Sequence, residues 1–142
     1  MYDGGHLINK INKLTTRKIN ELLKDAEMDD FNGSQGTILH ILWKNKEMTI
    51  KQISKSTGLA KTSLTSMLTR MEEKGLIEKI NNDSDKRSTI IRLTDKSKSL
   101  EDKYNEITNK MIYQYYCDFT VEEIEYFENQ LRRVLNNLEK NK

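Results

Sequence analysis

The chain has 142 residues, of which 32% are charged, with one cysteine, no proline and a formal net charge of +2. This length suits one domain, the single Cys117 excludes an internal disulfide, and the composition favours helices over an all-β fold. No apolar segment follows a basic start, so the sequence predicts a cytoplasmic protein, with neither secretion nor membrane insertion.

Charge is unevenly distributed along the chain. Residues 48–100 carry 11 basic and 6 acidic side chains, whereas residues 101–142 carry 6 and 9. A positive middle segment is what attraction to phosphate groups requires, although many proteins that bind no nucleic acid have a similar bias.

The first predicted helix covers residues 7–23, where apolar side chains recur at helical spacing between basic ones. The polar stretch 25–33 is expected to end it. Asn32 and Gln35 then have the spacing of a capping box ahead of an apolar run. A second, more buried helix is therefore predicted to begin near Gly33.

A helix-turn-helix is the clearest local pattern. Thr49 and Gln52 form another capping box ahead of a short helix, and Gly58 supplies the left-handed residue that ends it. A second helical pattern starts a few residues later and ends at Gly75. Its apolar residues lie on one side, and short hydroxyl side chains lie on the other.

Two segments rich in β-branched residues follow this pair of helices. They cover residues 76–80 and 88–94 and are joined by the polar tip 81–87. Their composition predicts a two-stranded β-hairpin, the wing.

Two further helices are predicted after the wing. The first begins at Thr94 and runs without a break to near Cys117, and the second begins with the capping box of Thr120 and Glu123. The predicted fold class is mostly α with a small β-wing: a winged helix-turn-helix domain with added N- and C-terminal helices.

The terminal helices carry more apolar surface than a helix-turn-helix core can bury, since such a core needs only roughly 50–60 residues. A homodimer would cover this surface. It would also place two recognition helices about 34 Å apart, in successive major grooves of a palindromic site.

The chain closely resembles the MarR family of winged-helix regulators in the segments KTSLTSMLTRMEEKGLIEK, DSDKRS and IIRLTDKSKSL, and the resemblance covers nearly its whole length. The resemblance implies one domain, residues 1–142, with a DNA-binding part at 32–94 and dimerisation helices at 1–28 and 95–142. It also implies a homodimeric transcriptional repressor on double-stranded DNA, released by a small molecule or an oxidant. No cofactor and no membrane partner are expected.

The resemblance also assigns residues to DNA binding by their positions in these motifs. The expected DNA-binding residues are Lys51, Lys61, Thr62, Ser63, Thr65, Ser66, Thr69, Arg70, Asp85, Lys86 and Arg87.

Four of these residues are expected to contact base edges in the major groove, namely Thr62, Ser63, Thr65 and Ser66. Serine and threonine hydroxyls can donate or accept there, and a threonine methyl can contact a thymine methyl. Many relatives carry an arginine where this chain has Ser66, so we expect an A/T-rich operator and a larger contribution from the wing.

The remaining residues are expected to act at the minor groove and the phosphates. Arg87 would enter the minor groove, where its charge suits the negative potential of A/T-rich DNA. Asp85 would orient Arg87 or pair with Arg70. Phosphate contacts are expected from Thr69 and Arg70 and from three lysines, Lys51, Lys61 and Lys86.

Two other departures from the family pattern lie outside these contacts. Ala60 removes the usual polar cap ahead of the recognition helix, and Ser97 replaces a common glycine after the wing. Neither changes the apolar positions on which the fold depends.

Each feature also has a simpler interpretation. The hydroxyl-rich helix face could be a solvated surface, and Asp85 with Arg87 could be a surface ion pair of little energetic value. Cys117 is interpreted as structural and not as a redox sensor, and His6 and His40 as ordinary polar or core residues. Aromatic side chains could line a ligand crevice or simply pack: Trp43, Tyr113, Tyr115 and Tyr116.

Three classes of function differ in what they predict. A DNA-binding regulator predicts salt-dependent binding to a palindrome. A winged-helix protein-interaction module predicts the same fold without specific DNA affinity. An enzyme is disfavoured because no phosphate-binding glycine loop, nucleophile elbow or acid/base dyad is evident.

Overall fold

A computed structural model of the protein describes residues 1–28, 30–85 and 87–140. The helices are α1 (Gly4–Asp25), α2 (Gly33–Asn45), α3 (Ile50–Thr57), α4 (Lys61–Glu73), α5 (Asp95–Lys98), α6 (Glu101–Tyr115) and α7 (Val121–Lys140). The strands are β1 (Glu47–Thr49), β2 (Ile77–Asn81) and β3 (Thr89–Leu93). The prediction of a mostly helical protein with a small sheet is confirmed.

The chain divides into two compact units, Met1–Thr108 and Asn109–Lys142. The first unit contains α1 to α5, all three strands and the first half of α6. The second unit contains the rest of α6 and α7. None of the helices in the described parts of the chain has the length and apolar character that a membrane span needs.

The hydrophobic core of the first unit forms around α2, whose Ile38, Leu39 and Leu42 are fully buried. Side chains of α3, α4, the turn after α4 and the sheet pack against it, and those fully or almost fully buried are Ile53, Leu64, Leu68, Met71, Leu76, Ile77 and Ile91. Such interior contacts are what hold α4 in place, because a helix of its length has little stability alone.

The predicted capping boxes at the starts of α2 and α3 are confirmed. The Asn32 side chain accepts from the Gln35 N–H at 2.9 Å while Gln35 Oε1 accepts from the Asn32 N–H at 3.2 Å. Thr49 and Gln52 exchange the same two bonds at the start of α3. These reciprocal bonds satisfy N–H groups that have no partner within the helix.

Glycines end α3 and α4 as predicted. Gly58 has a φ of +74° and Gly75 a φ of +75°. After α4 the Gly75 N–H donates to the Glu72 carbonyl at 3.0 Å and the Leu76 N–H donates to the Met71 carbonyl at 2.9 Å. This pair of bonds is a Schellman motif, and it turns the chain directly from the helix into β2.

The connection between α1 and α2 contributes more buried side chains to the hydrophobic core than its polar sequence indicates. Met28 and Phe31 are buried there, in a stretch that was expected to be a polar loop. Helix α1 ends in the same Schellman pattern, with the Met28 N–H donating to the Leu23 carbonyl at 2.8 Å. The left-handed residue of this motif is Glu27, at a φ of +58°, where glycine is usual.

The sheet has three strands, so the prediction of a two-stranded wing is incomplete. The strand order is β1-β3-β2, and both pairings are antiparallel. The three-residue β1 covers the edge of β3 that β2 leaves free, with Met48 opposite Ile91. A segment this short forms a strand only because that edge is available.

The prediction of one unbroken helix after Thr94 is wrong, because α5 ends at Lys98 and α6 begins at Glu101. Two donors account for the break. The Ser97 carbonyl accepts from the Leu100 N–H at 3.1 Å, which is an i to i+3 bond, and from the indole Nε1 of Trp43 at 3.0 Å. The buried Ser97 hydroxyl in turn donates to the Leu76 carbonyl, so this serine has a role that glycine could not fill.

The second unit has an aromatic cluster at the start of α7. Tyr116 makes edge contacts with Tyr115, Phe119 and Phe127, so Tyr115 and Tyr116 pack here. The Tyr116 hydroxyl donates to Glu128 Oε1 at 2.8 Å. Burial and this hydrogen bond raise the pKa of Tyr116 to about 12.

Helix α7 begins with the predicted capping box, since Thr120 and Glu123 exchange bonds of 3.0 and 3.1 Å. Its apolar face is largely uncovered towards the C-terminus, where Val134, Leu135 and Leu138 are exposed.

Candidate nucleic-acid interface

The helix-turn-helix is built from α3 and α4, joined by residues 58–60. Side-chain hydrogen bonds fix this short turn. Ser54 Oγ donates to the Leu59 carbonyl at 2.7 Å, and Thr57 Oγ1 accepts from the Leu59 N–H at 3.2 Å. No side chain caps α4, because its N-cap residue is Ala60. The position of α4 is therefore set by this turn and by its buried side.

The opposite side of α4 is solvent-exposed. The six predicted contact residues on this helix are all exposed, and they are Thr62, Ser63, Thr65, Ser66, Thr69 and Arg70. The buried residues Leu64, Leu68 and Met71 alternate with them at helical spacing. We call this surface the α4 face.

The hydroxyl groups on the α4 face are of two kinds. Thr65 Oγ1 donates to the Lys61 carbonyl at 2.8 Å, and Thr69 Oγ1 donates to the Thr65 carbonyl at 3.0 Å. These two oxygens can therefore only accept from another molecule. Among the described residues, the side chains of Ser63 and Ser66 form no hydrogen bond, so they can both donate and accept.

The wing tip is a hydrogen-bonded loop between β2 and β3. Asp85 Oδ1 accepts from the Arg87 N–H at 3.0 Å, and the Asp85 carbonyl accepts from the Ser88 N–H at 3.1 Å. The Arg87 side chain is exposed. In the parts of the chain that the structure describes, Asp85 forms no ion pair with Arg87 or Arg70. Asp85 therefore acts on Arg87 through the backbone.

Two of the three predicted phosphate-binding lysines lie at helix starts. Lys51 is the second residue of α3 and Lys61 the first residue of α4, and both are exposed. The predicted contact at Lys86 lies outside the described residues.

The structure brings another cation, Lys79, next to the α4 face. Lys79 lies on β2, and its Nζ donates to Thr69 Oγ1 at 3.0 Å. The sequence analysis missed this residue, because period-two alternation places it on the same side of the strand as the buried Ile77. A lysine at such a position needs a polar neighbour, and that requirement is the signal that could have identified it.

A cleft of about 640 Å³ lies on the first unit between the end of α2, the β1–β3 pair and the start of α6. Its lining includes Leu42, Trp43 and Leu93, together with Lys98 and Arg92. Of the predicted crevice aromatics, Trp43 lines this cleft and its ring also packs on Tyr104. Tyr113 is largely exposed on α6.

Cys117 was predicted to be a structural residue, and His6 and His40 ordinary polar or core residues. Cys117 is a free, exposed thiol. His40 lies near Tyr104, and burial lowers its pKa. Within the described parts of the chain, no group of three or more His, Cys, Asp or Glu side chains is arranged to hold a metal ion.

A helix-turn-helix followed by a β-hairpin with an exposed, polar tip defines a winged helix-turn-helix protein. Residues 31–89 match the model of the MarR family. The HTH-type transcriptional regulator YwoH of Bacillus subtilis is 32% identical over 140 residues, covering 94% of this chain and 97% of that protein. The chain belongs to the MarR family of transcriptional regulators.

Other relatives agree with this assignment. The organic hydroperoxide resistance transcriptional regulator of Bacillus subtilis is 34% identical over 74 residues, which are 52% of this chain and half of that regulator. A crystal structure of mutant MarR from Escherichia coli complexed with operator DNA superposes with a TM-score of 0.82, at 25% identity and 92% coverage of both chains. The recognised family and the predicted fold class are thus confirmed.

Proposed function

We propose that this protein is a transcriptional repressor that binds a palindromic DNA operator as a homodimer. The main support for the proposal is the α4 face, an exposed row of hydroxyl side chains together with Arg70, on a helix held by a buried core. The similarity to Escherichia coli MarR in complex with operator DNA supports this assignment.

In this proposal α4 lies in the major groove. Thr62, Ser63, Thr65 and Ser66 contact base edges, because short hydroxyl side chains allow a close approach of the helix to the bases. Ser63 and Ser66 have free hydroxyl groups and can pair with either donors or acceptors. With no arginine among these four residues, strong guanine selection is absent from this part of the interface.

The wing supplies the minor-groove contact. Arg87 extends from the tip into the groove, where an A/T-rich sequence gives the strongest negative potential. Asp85 contributes by fixing the backbone of Arg87 through the bond to its N–H. Phosphate contacts come from Thr69 and Arg70 on the α4 face and from three lysines, Lys51, Lys61 and Lys86.

Two uncovered apolar surfaces support the homodimer. Exposed apolar side chains lie along the first half of α1, at Leu7, Ile8, Ile11 and Leu14, and along the second half of α7. Single exposed apolar residues are ordinary, but rows on two helices indicate a surface that is covered in the assembled protein. Sedimentation analysis should give twice the chain mass, and a monomer at micromolar concentration would contradict the dimer.

We place the effector site in the cleft beside Trp43. Its volume suits a small aromatic ligand, with Leu42, Trp43 and Leu93 available for apolar contact and charged side chains around them. Within it, the Arg92 side chain forms an ion pair of 3.0 Å with Glu47, which joins β3 to β1. A ligand carboxylate that competes for Arg92 would loosen this strand pair. Because β3 returns from the wing tip, binding would disturb the wing and lower operator affinity.

Selection from a random duplex pool tests the DNA-binding function. The protein is incubated with the pool at near-physiological salt, and the bound fraction is sequenced. We expect an A/T-rich palindrome, lost with Thr65→Ala and weakened with Arg87→Ala. Thr16→Ala is the matched control, since Thr16 makes the same hydroxyl bond to an i−4 carbonyl, at 2.9 Å, on α1.

The same selection experiment distinguishes a DNA-binding regulator from a protein-interaction module. Enrichment that survives Thr65→Ala would contradict the assigned base contacts. No enrichment at all would contradict the operator and favour a winged-helix protein-interaction module.

Tryptophan fluorescence tests the effector site, because Trp43 is the only tryptophan in the chain. Titration with 2-hydroxybenzoate, an aromatic carboxylate, should change the fluorescence and weaken operator binding in parallel. Arg92→Met should abolish both effects. If the ligand binds but operator affinity at fixed salt is unchanged, the proposed coupling is wrong.

A further inference from the structure

Lys79 joins the wing to the recognition helix. Its Nζ donates to Thr69 Oγ1 at 3.0 Å and lies 4.0 Å from Glu72 Oε1. Its backbone N–H donates to Glu72 Oε2 at 3.3 Å. The side chain is 26% exposed, compared with 43% for Glu72. Two residues of α4 thus fix both ends of this lysine.

The Lys79 ammonium still has donors available. The Thr69 hydroxyl is itself fixed, because it donates to the Thr65 carbonyl and can accept from Lys79 at the same time. The Glu72 carboxylate at 4.0 Å is too distant for a hydrogen bond. Since an ammonium group has three N–H donors and one of them is used by Thr69, donors remain for a further partner.

We propose that Lys79 binds the DNA phosphate at the boundary between the two grooves, a contact that rests on the proposed function. If α4 occupies a major groove and the wing the adjacent minor groove, one sugar–phosphate strand must pass between them. Lys79 is the cation held at that junction of α4 and β2. Thr69 positions its ammonium, and the phosphate replaces Glu72 as its partner.

The contact is electrostatic and independent of sequence. A lysine that neutralises one phosphate releases counterions, which steepens the dependence of log affinity on log salt by about 0.9. Between about 1 M and about 0.15 M salt, a slope of this size corresponds to a gain in affinity of about five-fold for each Lys79 that contacts a phosphate. A residue that only orients the wing would change affinity without changing this slope.

The test measures the salt dependence of binding by fluorescence anisotropy on a random-sequence duplex and on the selected operator. Lys79→Met removes the charge and keeps the apolar stem and the backbone bond to Glu72. Lys79→Arg keeps the charge. Lys18→Met is the matched control, because Lys18 also pairs with a glutamate, Glu21 at 3.9 Å, on α1.

We expect Lys79→Met to lower the slope by about 0.9 per bound subunit and to weaken binding to both duplexes by about five-fold per subunit. Lys79→Arg and Lys18→Met should retain the slope of the unchanged protein. An unchanged slope for Lys79→Met, with or without lost affinity, would overturn the phosphate contact while leaving the proposed function intact. Absence of binding by the unchanged protein to any duplex would overturn both.

Discussion

Replacement of Gly36 by alanine tests the packing of α2 against Tyr104. A Cβ atom at Gly36 would lie 2.8 Å from Tyr104 Cε2 and 2.9 Å from its hydroxyl oxygen, inside van der Waals contact. The ring cannot move away easily, because Tyr104 is 3% exposed and packs on Phe31 and Trp43. Glycine is therefore required at this helical position by the residue that faces it.

The expected magnitude follows from two opposing effects. Alanine favours a helix interior over glycine by about 1 kcal/mol. Forcing extra volume into a packed core costs about 1–3 kcal/mol. Gly36→Ala should therefore lower the free energy of unfolding by about 1 kcal/mol. In a Tyr104→Leu background, where the contacting ring atoms are gone, the same change should raise it by about 1 kcal/mol.

Urea denaturation followed by far-UV circular dichroism, at one protein concentration, measures both differences. Gly5→Ala is the control, since a Cβ there has no atom within 4 Å, and it should cause no loss of stability. Equal effects of Gly36→Ala in the two backgrounds would refute the argument, because the sign must change when Tyr104 is shortened.

Three further predictions concern the same unit. Glu27→Gly should raise the free energy of unfolding by about 0.5–1 kcal/mol, because a side chain is strained at a φ of +58°. A lower melting temperature of this variant in thermal unfolding would contradict the prediction. Asn32→Ala should cost about 1 kcal/mol by removing the α2 capping box, whereas an unchanged urea midpoint would show that the cap contributes nothing. The pKa of His40 is lowered from 6.5, mainly by burial and then by Lys44, so the unfolded chain binds the proton more tightly than the folded chain. The free energy of unfolding should therefore have its full value above about pH 6.5 and decrease as the pH drops towards the lowered pKa. The decrease should be smaller in His40→Gln, and equal pH profiles for the two proteins would contradict this assignment.

The sequence was sufficient where structure depends on nearby residues. The capping boxes of Asn32 and Thr49 and the turn at Gly58 are formed within three to five residues of each other, so their patterns predicted the helix boundaries directly. The α4 face was also predictable, because helical periodicity alone separates buried from exposed positions.

The remaining features depend on contacts between distant residues. β1 exists because β3 offers a free edge, and the break after α5 involves the indole of Trp43, which is 54 residues away from Ser97. The position of Lys79 beside Thr69 likewise needs the turn from α4 into β2 to be known in three dimensions. Local pattern marks Lys79 as a lysine on the buried side of its strand, but it does not identify the distant partner in any of these contacts.

The internal hydrogen bond of Thr65 has a consequence for the bases that α4 can select in the proposed complex. Its hydroxyl hydrogen is directed at the Lys61 carbonyl, so a base encounters only the lone pairs of the oxygen and the methyl group. Such an oxygen can pair with the amino group of adenine or cytosine but has nothing to donate to guanine O6 or thymine O4. A side chain that could in principle pair with every base thus becomes, through one bond to its own helix, a selector between amino and carbonyl groups.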